Sequence, residues 1–236
     1  MAETLPPRQR ITPGAGLGED GSGIAGVTKP ALRGFIHLLA FSSALTLAPI
    51  LIVSTPGLAD RFIVAGYALS IVALFGVSAL YHRVDWEGPA AARMRKLDHS
   101  MIFIAIAATH TPVALIAMPP GPGWTLFTIV WVGAVVGILS RVFLPQAPAW
   151  LVAAPYVLVG WSSLVVVNHV WNAVDLAGFI LLLVGGLFYT AGAVIFALKR
   201  PDPWPDYFGF HEIFHVCTVA GAACHYLTIA FFLRPF

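Results

Sequence analysis

The sequence predicts an all-α membrane protein, a bundle of seven transmembrane helices with its amino terminus in the cytoplasm and its carboxyl terminus outside. Three observations carry this. Of the 236 residues, 58% are hydrophobic and only 10% are charged, whereas roughly a quarter of an ordinary soluble domain is charged. The apolar residues gather into seven runs, each near the ~20 residues that cross a bilayer core. The basic residues then fall almost entirely on one side of the alternating connections.

Residues 1–30 are rich in Pro and Gly, carry mixed charge and hold no apolar stretch, so they read as a disordered cytoplasmic tail. A glycine-rich stretch around Gly14 lacks the preceding strand and following helix that a phosphate-binding loop requires. The seven-helix domain occupies residues 31–236, with spans at about 34–53, 62–81, 98–118, 124–144, 150–167, 174–198 and 208–233. Pro49, Pro112 and Pro155 lie inside runs, where membrane helices accept them as kinks. The connections are short and punctuated by Pro and Gly, as at Met118-Pro-Pro-Gly-Pro-Gly and Pro201-Asp-Pro-Trp-Pro-Asp.

Arg8, Arg10, Lys29, Arg33, Arg83, Arg93, Arg95, Lys96, Arg141, Lys199 and Arg200 share one side, leaving Arg61 and Arg234 for the other. The positive-inside rule makes the crowded side cytoplasmic. A net charge of +2 argues against a nucleic-acid partner. The expected partners are the bilayer and a membrane lipid; the sequence says nothing of oligomeric state. Cys217 and Cys224 are separated by about 10 Å of helical rise, too far for a disulfide.

With this topology the end of span two, the start of span three and the start of span seven share the cytoplasmic leaflet. They carry His82, Asp98 and the pair His211 and His215. Residues four apart on a helix share a face, so both imidazoles of the pair can reach one ion. Adding His82 makes a three-histidine shell with an open fourth position. Asp98 is placed to hold and deprotonate a bound water, and Ser78, one turn deeper than His82 on the same face, to orient that water or polarise a carbonyl. His211-Glu-Ile-Phe-His215 also matches H-E-x-x-H, in which the glutamate is a metalloprotease base, so Glu212 competes with Asp98 for that role.

Three blocks, Ser78-Ala-Leu-Tyr-His82, Arg95-Lys-Leu-Asp98-His-Ser and His211-Glu-Ile-Phe-His215 followed by Val219-Ala-Gly-Ala-Ala-Cys-His225, resemble the hemolysin III family, bacterial relatives of the adiponectin and progestin receptors. The resemblance implies a multi-pass protein of the bacterial inner membrane with zinc held by His82, His211 and His215, and with Ser78 and Asp98 completing the site. It implies further a place among membrane lipid hydrolases whose best-understood members cleave the amide of ceramide. The expected function is therefore zinc-dependent hydrolysis of a lipid amide or ester. The alternative is a receptor, membrane-state sensor or cytolytic factor with a structural zinc. The family is not expected to keep an acid at the position of Glu212, which weakens the protease reading.

The remaining histidines read as structural. His110 lies about 18 Å beyond Asp98 along its helix and His225 about 15 Å beyond His215, so both are interhelical hydrogen-bonders. His37 and His99 are candidates to support the site from behind, and His169 falls in an outer loop. Arg93, Arg95 and Lys96 occupy an Ala-rich segment that reads equally as an interfacial helix on the cytoplasmic surface or as charges that only fix topology. Trp124, Trp150, Trp161, Trp171 and Trp204 read as interfacial anchors. Gly185, Gly186, Ala191, Gly192 and Ala193 form a small-residue face for close packing.

Overall fold

A computed structural model describes residues 30–144 and 148–233. The expected tail, with Arg8, Arg10 and Lys29, and Arg234 beyond the last span lie outside the described residues. The described chain is helical with no β-strand, and seven stretches are long and apolar enough to cross a membrane. The helices are α1 (Phe35–Ser54), α2 (Leu58–Arg83), α3 (Gly88–Ile116), α4 (Pro120–Phe143), α5 (Ala149–Gly160), α6 (Val167–Ala173), α7 (Leu176–Leu198) and α8 (Phe210–Leu227). It is an integral, multi-pass membrane protein: Leu39, Ile50, Phe62, Phe143 and Leu187 all face outward, where acyl chains rather than water solvate them.

Two helices differ in extent from expectation. α3 starts at Gly88, ten residues before Asp98, because Pro89 is preorganised for a first turn and an Ala-rich stretch continues it. The basic segment at 93–96 is thus the first turns of span three and not a separate surface helix. The fifth crossing is composite: α5 ends at Gly160, a tight 3-10 stretch covers Ser162–Val166, and α6 continues to Ala173. The interruption falls at Gly160 and Trp161 and not at Pro155. His169, expected in a loop, is a half-buried residue of α6.

Packing is closest between α7 and α8, followed by α3 with α4, α1 with α2 and α2 with α3. Small residues set the α7–α8 distance. A Cβ at Gly185 would stand 2.5 Å from the His225 ring and 3.1 Å from the Gly221 carbonyl, and one at Gly192 would touch Cys217 at 3.0 Å. Gly186 instead meets Trp161, and Ala191 faces outward. Cys217 and Cys224 are both free thiols.

The start of α8 is held by side chains. Glu212 Oε2 accepts the Gly209 N–H at 2.9 Å and Asp202 Oδ1 accepts the Phe210 N–H at 3.1 Å. Together they satisfy donors that a helix start leaves without intrahelical partners. The four residues before α1 are pinned to the same place. Ala31 N–H donates to the Asp206 carbonyl at 3.0 Å and Leu32 N–H to that of Tyr207 at 3.3 Å. Gly34 then turns the chain at φ 76°, and a Cβ there would strike His82 Cβ at 2.7 Å. Only glycine meets both demands at low cost.

Candidate metal centre

α2 delivers His82 from its last turn, and α8 delivers His211 and His215 from its first two. All three imidazoles are buried, and one ligand nitrogen from each lies within 4.8 Å of the others. His82 Nε2 and His211 Nε2 face each other at 3.2 Å. The ring centroids of His215 stand 4.5 Å from His211 and 5.0 Å from His82. The three-histidine set read from spacing is therefore one cluster in space.

Asp98 and Ser78 are buried beside it. Asp98 Oδ2 lies 4.0 Å from His82 Nε2, and Asp98 and Ser78 line a cavity of about 110 Å³ with His211 and His215. The cavity runs away from the cluster between α3, α5, α7 and α8. Its walls are mostly apolar, with Tyr156, Trp161 and Tyr189 among them. Trp161 thus departs from the role of interfacial anchor: its indole N–H donates to Thr190 Oγ1 at 2.9 Å inside the bundle.

His110 and His225 line the far part of the same cavity. His225 contacts the Leu182 carbonyl of α7 at 3.2 Å, as an interhelical hydrogen-bonder should. His110 bonds mainly along its own helix, to the Ile106 carbonyl at 2.8 Å.

Glu212 is completely buried, at 0% exposure, and both of its oxygens are engaged. Oε1 accepts from Arg33 Nε at 2.5 Å, and Oε2 caps the start of α8. The carboxylate is directed at the segment before α1, and Glu212 is absent from the described cavity wall. Its neighbourhood is that of a clamp between α1 and α8.

The residue that spacing undervalued is His37. Its ring stacks on His215 with centroids 3.7 Å apart and planes inclined by 13°, and its edge meets Phe75. A signal was available, since His37 lies one turn into span one at the same leaflet. Both its ring nitrogens, together with Nδ1 of His211 and His215, are buried without a hydrogen-bond partner. The pocket therefore holds more imidazole nitrogens than protein groups satisfy. Neutral imidazoles of this number and spacing suit a borderline-soft divalent cation such as zinc, so the residues present fit that ion.

Comparison with known proteins agrees with this architecture. The family model described as "Haemolysin-III related" matches residues 25–226. The chain is 31% identical to "Hemolysin-3" of Bacillus cereus over 170 residues, which is 72% of this chain and 74% of that protein. It is 28% identical to the "Hemolysin-3 homolog" of Bacillus subtilis over 166 residues, covering 70% and 75% of the two chains. It is 29% identical to "Heptahelical transmembrane protein 5" of Arabidopsis thaliana over 150 residues, covering 56% of this chain and 40% of that one.

Proposed function

The chain belongs to the haemolysin-III related family of membrane proteins, and from that premise we propose that it is a zinc-dependent intramembrane hydrolase of a lipid amide or ester. The observation that carries the proposal is a buried cluster of three imidazoles, two of which, His211 and His215, line one mostly apolar cavity together with the Asp98 carboxylate and the Ser78 hydroxyl. A purely structural cation needs no such cavity.

His82, His211 and His215 would hold the zinc ion. When bound, zinc supplies Lewis acidity, lowering the pKa of water toward ~7 and polarising a carbonyl. The chain's own residues do the rest. Asp98 takes a proton from the attacking water at a carboxylate oxygen and returns it to the departing amine or alcohol as the carbonyl carbon–heteroatom bond breaks. Ser78 Oγ donates a hydrogen bond to the carbonyl oxygen, where negative charge develops. The apolar cavity receives acyl chain from the bilayer and keeps bulk water out, which strengthens each of these interactions.

The test is to incubate purified, zinc-loaded protein with a total lipid extract and follow products by mass spectrometry. Asp98→Asn should retain zinc and lose turnover by about 10²-fold or more, the usual contribution of a positioned base. Equal hydrolysis by variant and parent would overturn the proposal.

A receptor, membrane-state sensor or cytolytic factor with a structural zinc is the second reading. What favours it is that the three histidines come from α2 and α8, so that one ion on them would tie the two helices together. Chelation separates the two: a structural zinc leaves an unfolded bundle and no cleaved lipid, whereas a catalytic one leaves a folded, inactive bundle.

A further inference from the structure

The cavity at the metal centre has a neighbour. A second cavity of about 60 Å³ lies further along α3 from the histidine cluster, walled mostly by apolar side chains that include Leu126, Val170, Phe179 and Leu183. Six residues belong to both walls: Thr109, His110, Gly160, Trp161, Gly186 and His225. They form the partition between the two spaces. Two of them are glycines with no side chain to contribute, and Trp161 is the largest of the rest.

The chain puts an indole there by breaking a helix. α5 ends at Gly160 and the 3-10 stretch begins at Ser162, and a tightening of this kind within a crossing often marks a functional position. At the break, Trp161 N–H donates to Thr190 Oγ1 at 2.9 Å, and Thr190 Oγ1 donates in turn to the Gly186 carbonyl at 2.8 Å. The benzo edge of the indole lies against Gly186, where a Cβ would meet Cζ2 at 3.3 Å. His225 and His110 beside it are tied to the Leu182 and Ile106 carbonyls. The indole is thus a plate fixed at its polar edge, with a glycine opposite that leaves room for it.

We propose that Trp161 is the residue that sets the length of acyl chain the protein accepts. It closes the first cavity, so a chain seated with its carbonyl end at the metal centre stops against the indole. The inference rests on the hydrolase reading in taking the occupant as an acyl chain. On α3 the first cavity is lined from Asp98 to His110, about 18 Å of helical rise, which at about 1.2 Å per bond of extended chain holds ~15 carbons. The second is lined from Thr109 to Val113 on α3 and from Phe179 to Gly186 on α7, about 6–10 Å, or ~5–8 carbons more.

The experiment is native mass spectrometry of the zinc-loaded full chain in a non-ionic detergent, offered an equimolar series of saturated fatty acids that spans both lengths. The parent should bind best near ~15 carbons. Trp161→Ala should move that optimum up by ~5–8 carbons and hold the longest acids at least ~10-fold more tightly than the parent does, because each methylene newly buried adds to affinity. Trp161→Leu, which removes less of the partition, should give a smaller shift in the same direction. Val170→Phe fills the second cavity: it should return the optimum of the Trp161→Ala chain to the parent's, and on its own leave the parent's optimum in place.

An optimum that Trp161→Ala does not move overturns the assignment, as does a shift that survives Val170→Phe. If Trp161→Ala does not fold, Trp161→Leu carries the test, and failure of both to fold would make the indole a structural prop and overturn its role in chain length. Fatty acids are products of the proposed cleavage, so no turnover is needed. Bound acids with an unmoved optimum remove the length-setting role alone and leave the hydrolase reading to its own test. A parent that holds no fatty acid of any length removes the acyl occupant on which both rest.

Discussion

Glu212 and Asp98 show how one residue type acquires two roles from its surroundings. Both are buried acids at the same leaflet. Glu212 gives one oxygen to Arg33 and the other to a backbone N–H, whereas Asp98 sits on the cavity wall beside His82. Glu212→Gln is therefore expected to destabilise the bundle by about 3 kcal/mol, the usual result of removing one charge from a buried ion pair. Arg33→Met in the same chain should restore much of that loss, since the double variant removes both charges. Denaturant or thermal unfolding of the two single variants and the double variant checks this. At the cluster, His82→Ala, His211→Ala and His215→Ala should each reduce bound zinc from one ion per chain toward none, read by elemental analysis of purified protein. A variant that keeps full zinc would remove that histidine from the set. H-E-x-x-H could not reveal Glu212's role by itself, because Arg33 stands 179 positions away in the chain.

At the scale of elements, the site depends on how three segments end. α8 begins in the right place because Asp202 and Glu212 close its first turn, and the run-in to α1 packs over His82 because Gly34 takes a left-handed conformation. Gly34→Ala adds both backbone strain and a clash, and should cost about 1–3 kcal/mol while weakening zinc retention. Unfolding and metal content measured on one preparation test both halves. Gly185→Ala should separate α7 from α8 at His225 and leave the zinc cluster intact, since Gly185 lies away from the three ligands; lower stability with normal zinc is the expected outcome. The helices themselves were readable from apolar runs. The joined α3 and the broken fifth crossing were less so, because hydropathy reports affinity for lipid and is nearly blind to where a backbone stays helical.

For the whole molecule, the charge asymmetry predicts an amino terminus in the cytoplasm and a carboxyl terminus outside. A phosphatase fused after Phe236 should be active on the outer side of a bacterial inner membrane, and a reporter requiring the cytoplasm should be silent there; the opposite pattern would invert the bundle. Inversion would carry the metal centre to the other leaflet without altering its internal geometry. Everything period and composition can dictate was present in the linear chain: seven apolar runs, their connections, and the leaflet shared by His82, Asp98, His211 and His215. These are local properties, set by the match between a run's length and a bilayer's thickness. Only the tertiary structure decided that His37 stacks on His215, that Arg33 occupies Glu212, that Arg141 donates to His99, and that one cavity runs from His211 and His215 into the bundle. Those outcomes depend on the rotation of each helix about its axis and on which helices become neighbours. Packing between distant segments sets both, and hydropathy along the chain does not encode either.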